Sequence, residues 1–376
     1  MYEKDTCLTE LASIADFQKE IRKFDRRKSF SESNNVMKKH LLFIALAAVT
    51  LLSSCAQNTG SFPKNKKEIM DNFIAGTLDP SYVPAAFFVH FDANSKVGEG
   101  AVNSHLKYLL STNADVLKVQ FEQRPDRYTN LDDQATWDAM TPVPVDFYRP
   151  TFDVIKSLYD VVGQDVYILP TIYSPYQVAR QSLGDDNLAK AAVERPEDLK
   201  RLLGYYADAL EWLVNACKDA GIEGFYLTTQ GGEKKYYSIP GWFDTFIKPF
   251  DLRIMNLAAE GTKMNILHIC DWEGVMDDLT RYVDYPGQIV NTPFNLDGTF
   301  FSLNDGLELF GRPVLGGLDR HGKIISGTED EVRDLVRQAI ADGPKGKMMI
   351  GAECTVSEAP RANIHAAVDA AHHALD

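Results

Sequence analysis

Three residues with soft or nitrogen donors stand out in this chain. His268 and Cys270 lie two apart in LHICD, and Cys354 ends the stretch GAEC. On a strand, residues two apart face the same side. One imidazole and two thiolates with a fourth position open are the ligand set of a catalytic zinc site, and thiolates favour zinc over magnesium or calcium. The residues alone leave two other readings open. A buried cysteine is most often a small apolar filler, and in an oxidising compartment Cys270 and Cys354 could pair as a disulfide.

Other polar residues gather at the ends of apolar runs. Glu353 precedes Cys354 and Asp271 follows Cys270; either suits an oxygen ligand or an outer support for the metal-binding side chains. Glu122, just beyond the run 116–121, suits substrate orientation. Tyr173 and Ser174 follow the run 166–172, and Asp319 and His321 follow the run 313–317; all four are expected to contact substrate. Arg124, Arg127, Arg320 and Lys323 offer positive charge to an anionic ligand. Glu122, Glu273 and Glu353 also contain the makings of a glycosidase carboxylate pair.

Such residues need a scaffold that brings distant strand ends together. Eight short runs rich in apolar or β-branched residues occur at 83–91, 116–121, 166–172, 224–229, 264–269, 288–291, 313–317 and 347–352. Several, such as VYILPTI and KMMIGA, are apolar throughout, as parallel strands buried on both faces must be. Helical patterns lie between them. Residues 99–112 place Val102, Leu106, Leu109 and Leu110 on one face; residues 196–219 do the same with Leu199, Leu202, Leu203, Tyr206, Leu210 and Leu213, and with Cys217, which is read as core. Residues 328–342 open on Thr-Glu-Asp-Glu, a capping pattern with acidic first-turn residues, and are expected to bury Val332, Leu335, Val336 and Ile340. A last helix follows Pro360. Eight βα units in about 290 residues predict a single (β/α)8 TIM barrel, whose active site lies at the C-terminal ends of the strands. The segment 123–151 reads as a βα insertion over that mouth. Neither G-x-G-x-x-G after the first strand nor a P-loop occurs, which argues against a dinucleotide-binding doubly wound sheet.

The N-terminus has a different logic. LLFIALAAVTLL at 41–52 is too short to span a bilayer as a permanent helix. It stands between Met37-Lys38-Lys39-His40 and Ser53-Ser54-Cys55, a basic region, an apolar region and small residues before a cleavage point. Leu52-Ser53-Ser54-Cys55 looks like a bacterial lipobox, in which the cysteine becomes the acylated first residue. The expected division is therefore an upstream extension over 1–36 with translation starting at Met37, a signal peptide over 37–54, a tether over 55–80 and the barrel over 81–376. Cys7 then falls in the extension and Cys55 at the lipid anchor. The expected location is the cell envelope, on the periplasmic face of the outer membrane. The chain of 376 residues carries a net charge of −14. Removing the nine basic and seven acidic residues of 1–54 leaves 30 against 46, a net of −16. Such a charge argues against a nucleic-acid partner, which needs clustered Lys and Arg.

The stretches GRPVLGGLDRHGKIISGTEDEVRDLV and GKMMIGAECTVSEAPRANIHAAVDAA, together with LPTIYSPYQVARQSLG, VPAAFFVHF and ADVLKVQF, resemble the uroporphyrinogen decarboxylase (URO-D) superfamily over about 290 residues. The resemblance implies a (β/α)8 barrel and one of two chemistries. The decarboxylases act on a tetrapyrrole without metal, but their early M-R-Q-A-G-R motif has no counterpart in FFVHFDANSKVGEG. The other branch resembles corrinoid-dependent methyltransferases acting on thiols such as coenzyme M, with zinc on an H-x-C pair and a later Cys. His268, Cys270 and Cys354 match that pattern. The resemblance thus implies zinc-dependent transfer of a methyl group from a corrinoid or related donor to a thiol, with a corrinoid protein as partner. The alternatives are decarboxylation of a porphyrinogen or other carboxylated substrate, and a non-catalytic lipoprotein that binds a corrinoid or tetrapyrrole.

Overall fold

Seven short parallel strands carry the frame: β1 (Val116–Val119), β2 (Tyr167–Tyr173), β3 (Gly224–Thr229), β4 (Met264–Ile269), β5 (Ile289–Asn291), β8 (Val314–Leu318) and β9 (Met348–Ala352). They pair in the order β1-β2-β3-β4-β5-β8-β9, and β6 (Asn295–Leu296) with β7 (Thr299–Phe300) form a small antiparallel hairpin. The computed structural model describes residues 62–374 apart from Glu273. The signal segment, Cys7, Cys55 and Glu273 lie outside those residues.

The eighth stave is the run near Ala85. Ala86 donates to Ile350 O at 2.9 Å and Ile350 donates to Pro84 O at 2.8 Å, while on the other flank Asp115 donates to Ala85 O at 3.0 Å. The run thus joins β9 to the start of β1 and closes the barrel. It forms only an isolated bridge, Ala85 to Ile350, rather than the strand expected over 83–91. Pro84 has no N–H to give, and the Ala85 N–H is taken by the Asp115 carboxylate at 2.7 Å. A Cβ at Gly351 would lie 2.6 Å from Ala86 O, so this closure needs glycine there.

Inside the ring, Val116, Leu169, Tyr226, Met264, Ile266, Leu315 and Met349 pack in one apolar cluster, with Met70 and Phe73 beneath them. The last two belong to the helix Lys66–Ala75. That segment was expected to be tether. Its apolar positions Met70, Phe73 and Ile74 recur at helical spacing; Met70 and Phe73 are buried, with Ile74 packed against them, and so plug the N-terminal end of the barrel. Lys66 is held there by Asp115 at 2.7 Å.

The outer helices follow the periodicity read from the sequence. Pro196–Asp219 buries Leu199, Leu202, Leu203, Tyr206, Leu210, Leu213 and Cys217. Glu329–Asp342 starts at an N-cap Thr328 with a reciprocal Glu331 capping box. Only its Val332 and Val336 are buried; Leu335 is 39% exposed because it sits at the edge of the packed stripe, over a groove it shares with Phe294 and Phe301. No helix among the described residues is long and apolar enough to cross a membrane.

Candidate active site

β4 ends by presenting His268, and Cys270 follows one residue past the strand, its N–H still bonded to Thr229 O at 3.0 Å. Cys354 stands two residues beyond β9. These strands are separated in the ring by β5 and β8, so only barrel closure brings the three together. Their ligand atoms lie within 4.8 Å of one another. The two sulfurs are 4.0 Å apart and the thiols are free. Sulfurs of a tetrahedral zinc thiolate pair, each about 2.3 Å from the metal, lie roughly 3.8 Å apart, so the spacing fits a shared metal without rearrangement.

All three residues are buried, and His268 Nδ1 has no hydrogen-bond partner among the described residues. The His268 ring is stacked on Tyr226 at 5.2 Å. Tyr226 in turn donates to Asn291 Oδ1 at 2.9 Å, and Asn291 donates to Leu315 O and Ala352 O. Gln230 Nε2 donates to the Cys270 sulfur at 3.2 Å. In the thiol pair, the hydrogen bond from Cys270 and the neighbouring His268 ring outweigh burial and pull the Cys354 thiol below the usual value.

The cluster opens onto a cavity of about 740 Å³. Arg124, Pro125 and Arg127 of the 123–151 insertion line it, as expected for a segment over the mouth. So do Glu122 and Tyr173. Glu122 is bonded to His90 Nδ1 at 2.8 Å and to Lys96 Nζ at 3.0 Å. Burial would raise its carboxyl, but these two partners prevail and bring it down to about 2. Tyr173 stacks on Phe121 at 4.7 Å.

The other residues singled out from the sequence are placed elsewhere. Ser174 is buried as the N-cap of the helix Pro175–Leu183, its hydroxyl accepting from the Gln177 N–H. Arg320 joins two of the acids: Nη1 reaches Asp271 at 3.0 Å, and its backbone N–H donates to Glu353 at 2.9 Å. Glu353 lines the groove behind the wall, beside Thr292 and Phe301, rather than the thiol cavity. Burial pushes Glu353 up to about 7 and also raises Asp271. Arg320 is therefore a brace between strand ends, not free charge for a ligand. Asp319 accepts from the His321 N–H at 2.8 Å, His321 meets Arg320 Nε at 2.9 Å, and Lys323 pairs with Glu331 at 2.7 Å; none of the three lines the cavity.

Sequence reasoning passed over Gln230, Lys118 and Arg180, which also line the cavity. Lys118 had a signal: a lysine amid the apolar run VLKV, at a position buried on both faces.

A closed (β/α)8 barrel with an imidazole and two thiols at its C-terminal mouth defines the class. The chain belongs to the uroporphyrinogen decarboxylase (URO-D) family, whose sequence profile matches residues 104–374. Among solved structures it is similar to a methyltransferase from Methanosarcina mazei, with 17% identity and a TM-score of 0.61 over 82% of this chain and 98% of that one. It also matches a B12-independent methionine synthase from Shewanella sp. W3-18-1 in complex with selenomethionine, with 15% identity and a TM-score of 0.47 over 83% of this chain and 95% of that one. No curated protein matches it in sequence.

Proposed function

We propose that this protein is a zinc-dependent methyltransferase that alkylates a thiol, drawing the methyl group from a corrinoid or related donor. The observation that carries the reading is the convergence of His268, Cys270 and Cys354 on one wall of a 740 Å³ cavity from strands that are not neighbours. The methyltransferase among the similar folds points the same way. When bound by these residues, zinc would leave a fourth position for substrate and keep an incoming thiol deprotonated near neutral pH. The chain's own groups do the rest. Gln230 orients Cys270 through its N–H···S bond. Tyr226 fixes the plane of His268. Glu122, held ionised by His90 and Lys96, orients polar substrate groups rather than giving up a proton. Arg320 ties Asp271 and Glu353 together, so that the loops bearing Cys270 and Cys354 keep their spacing.

Metal analysis of the reduced, purified chain tests this. About one equivalent of zinc is expected, and most of it is lost in Cys270→Ala and Cys354→Ala. Absence of metal together with a 270–354 disulfide would sink the proposal. Metal-free decarboxylation of a porphyrinogen would select the decarboxylase reading, and a retained corrinoid or tetrapyrrole without turnover the binding one.

The proposal extends to location: an acylated Cys55 holds the barrel at the envelope, on the periplasmic face of the outer membrane, where a corrinoid protein is its partner. Blocking lipoprotein signal peptidase would leave the uncleaved precursor; an unchanged product would refute the anchor.

A further inference from the structure

The strands that lead to His268 and to Cys354 are kept apart in the ring by β5 and β8, and one side chain spans that gap. Asn291 ends β5, lies in register with His268 on β4, and is fully buried. Its Oδ1 accepts from the Tyr226 hydroxyl at 2.9 Å. Its amide donates to Leu315 O at 2.9 Å and to Ala352 O at 3.2 Å. An asparagine side chain has one carbonyl oxygen and two N–H donors, and here each is engaged. The bonds run to β3 on one side and to β8 and β9 on the other.

Core filling does not account for an amide at this place. The neighbours packed inside the ring, among them Ile266, Ile289, Leu315 and Met349, are apolar, and asparagine is depleted in strands. A buried amide costs free energy unless its bonds are made, whereas an aliphatic side chain carries no such cost. The partners of Asn291 supply the reason. Tyr226 stacks on the His268 ring at 5.2 Å. Ala352 stands two residues before Cys354, as His268 stands two before Cys270. One side chain therefore holds a support of each half of the ligand set, without itself lining the cavity. Arg320 joins Asp271 to Glu353 beside the same ligands. Asn291 is a second tie, made inside the barrel, and two ties restrict the tilt of one segment against the other that a single tie would allow.

We propose that Asn291 is a positioning residue that holds Cys354 in place against His268 and Cys270 and so sets the spacing of the three ligand atoms. The assignment deepens the zinc reading and rests on it for the identity of the bound metal.

The test reads metal binding and thiol spacing separately on the reduced full chain. Zinc affinity is measured by competition with a chromophoric chelator, and cobalt(II) in place of zinc reports ligand geometry through its ligand-field bands. Asn291→Leu should weaken zinc by at least about 10-fold, the lower end of what the outer supports of metal ligands contribute, and shift the cobalt bands. Tyr226→Phe keeps the ring on His268 and removes only its bond to Asn291; it should move both readouts the same way by less. Asn291→Asp, kept neutral by burial, restores an acceptor for Tyr226 and one donor, and should recover part of the loss. Asp115→Asn, at the opposite end of the barrel, is the control that lowers stability and moves neither readout. Should Asn291→Leu not fold, which its melting curve shows directly, Tyr226→Phe and Asn291→Asp carry the comparison. Wild-type zinc affinity and cobalt bands in all the folded variants at Asn291 and Tyr226 would overturn the proposal and leave Asn291 as a tie between strands only. Phenylarsine oxide, which bridges two neighbouring thiols, reads the Cys270–Cys354 spacing without metal, and its affinity should fall in Asn291→Leu. A wild type that holds no metal, with arsenical affinity still lost in the variant, refutes the zinc reading alone. Metal bound with every readout unmoved refutes the positioning role alone.

Discussion

The N-terminal end of the barrel offers the sharpest stability prediction, Asp115→Asn. Asp115 is fully buried and its two oxygens take four bonds: Lys66 Nζ at 2.7 Å, Tyr82 OH at 2.5 Å, the Ala85 N–H at 2.7 Å and His372 Nε2 at 2.8 Å. These partners come from the plugging helix, the closing run and the last helix, so one carboxylate joins the two ends of the described residues. Asparagine keeps the shape but removes the charge and turns an N–H₂ toward donors. The buried Lys66 ammonium is then left without its counter-charge. Breaking one side of a buried pair costs about 3–5 kcal/mol. With an unfolding entropy of roughly 2.1 cal/mol/K per residue over about 310 residues, this lowers Tm by about 5–8 °C. Burial alone would raise the Asp115 carboxyl, but His372 and Lys66 more than reverse that and hold it below its usual value. A depressed carboxyl contributes its stability above the unfolded value, near 3.9, and loses it as pH falls. The gap between wild type and variant should therefore be full at pH 7 and shrink below about pH 4. Removing the cation as well, Lys66→Met with Asp115→Asn, should recover part of the loss, since no ammonium is then stranded while the amide oxygen still accepts from the remaining donors. Calorimetric melts of the three proteins decide it. An Asn variant melting within about 1 °C of wild type at pH 7 would refute the reasoning, because it would mean the network carries no net stability.

Other outcomes follow from the same geometry. Asp251 is fully buried and burial raises it to about 8, against bonds from Thr229 and Tyr285. Its contribution is therefore present below about pH 4 and lost as pH climbs through 8, so Asp251→Asn should gain at least about 1 kcal/mol relative to wild type between pH 6 and 9 in urea titrations. Cys217→Ala opens a small hole in the face of Pro196–Asp219 and should cost about 1–2 kcal/mol with zinc stoichiometry unchanged; loss of metal would mean the ligand assignment is wrong. Thr328→Ala removes the cap of Glu329–Asp342 and should cost about 1 kcal/mol in thermal melts, without altering zinc affinity.

Much of the frame was legible in the sequence because the signals are local. Parallel strands buried on both faces must be apolar throughout, and seven of the eight runs became strands within two residues of their expected limits. The eighth closes the ring without a ladder, since Pro84 and the Asp115 carboxylate remove the donors a ladder would use. The helix Lys66–Ala75 was missed because the polar tether before it masked a short apolar stripe.

For the site, the sequence by itself determined the residue types and the H-x-C spacing, and strand periodicity made His268 and Cys270 share a face. Barrel closure alone decided that Cys354, 84 residues further on, sits 4.0 Å from Cys270. It also decided which charges reach the cavity. Arg320 was read as a ligand for anions and is spent on Asp271 and Glu353, whereas Lys118, hidden in an apolar strand, lines the cavity. Charge compensation acts over a few ångströms between segments distant in the chain, so no reading along one dimension contains it.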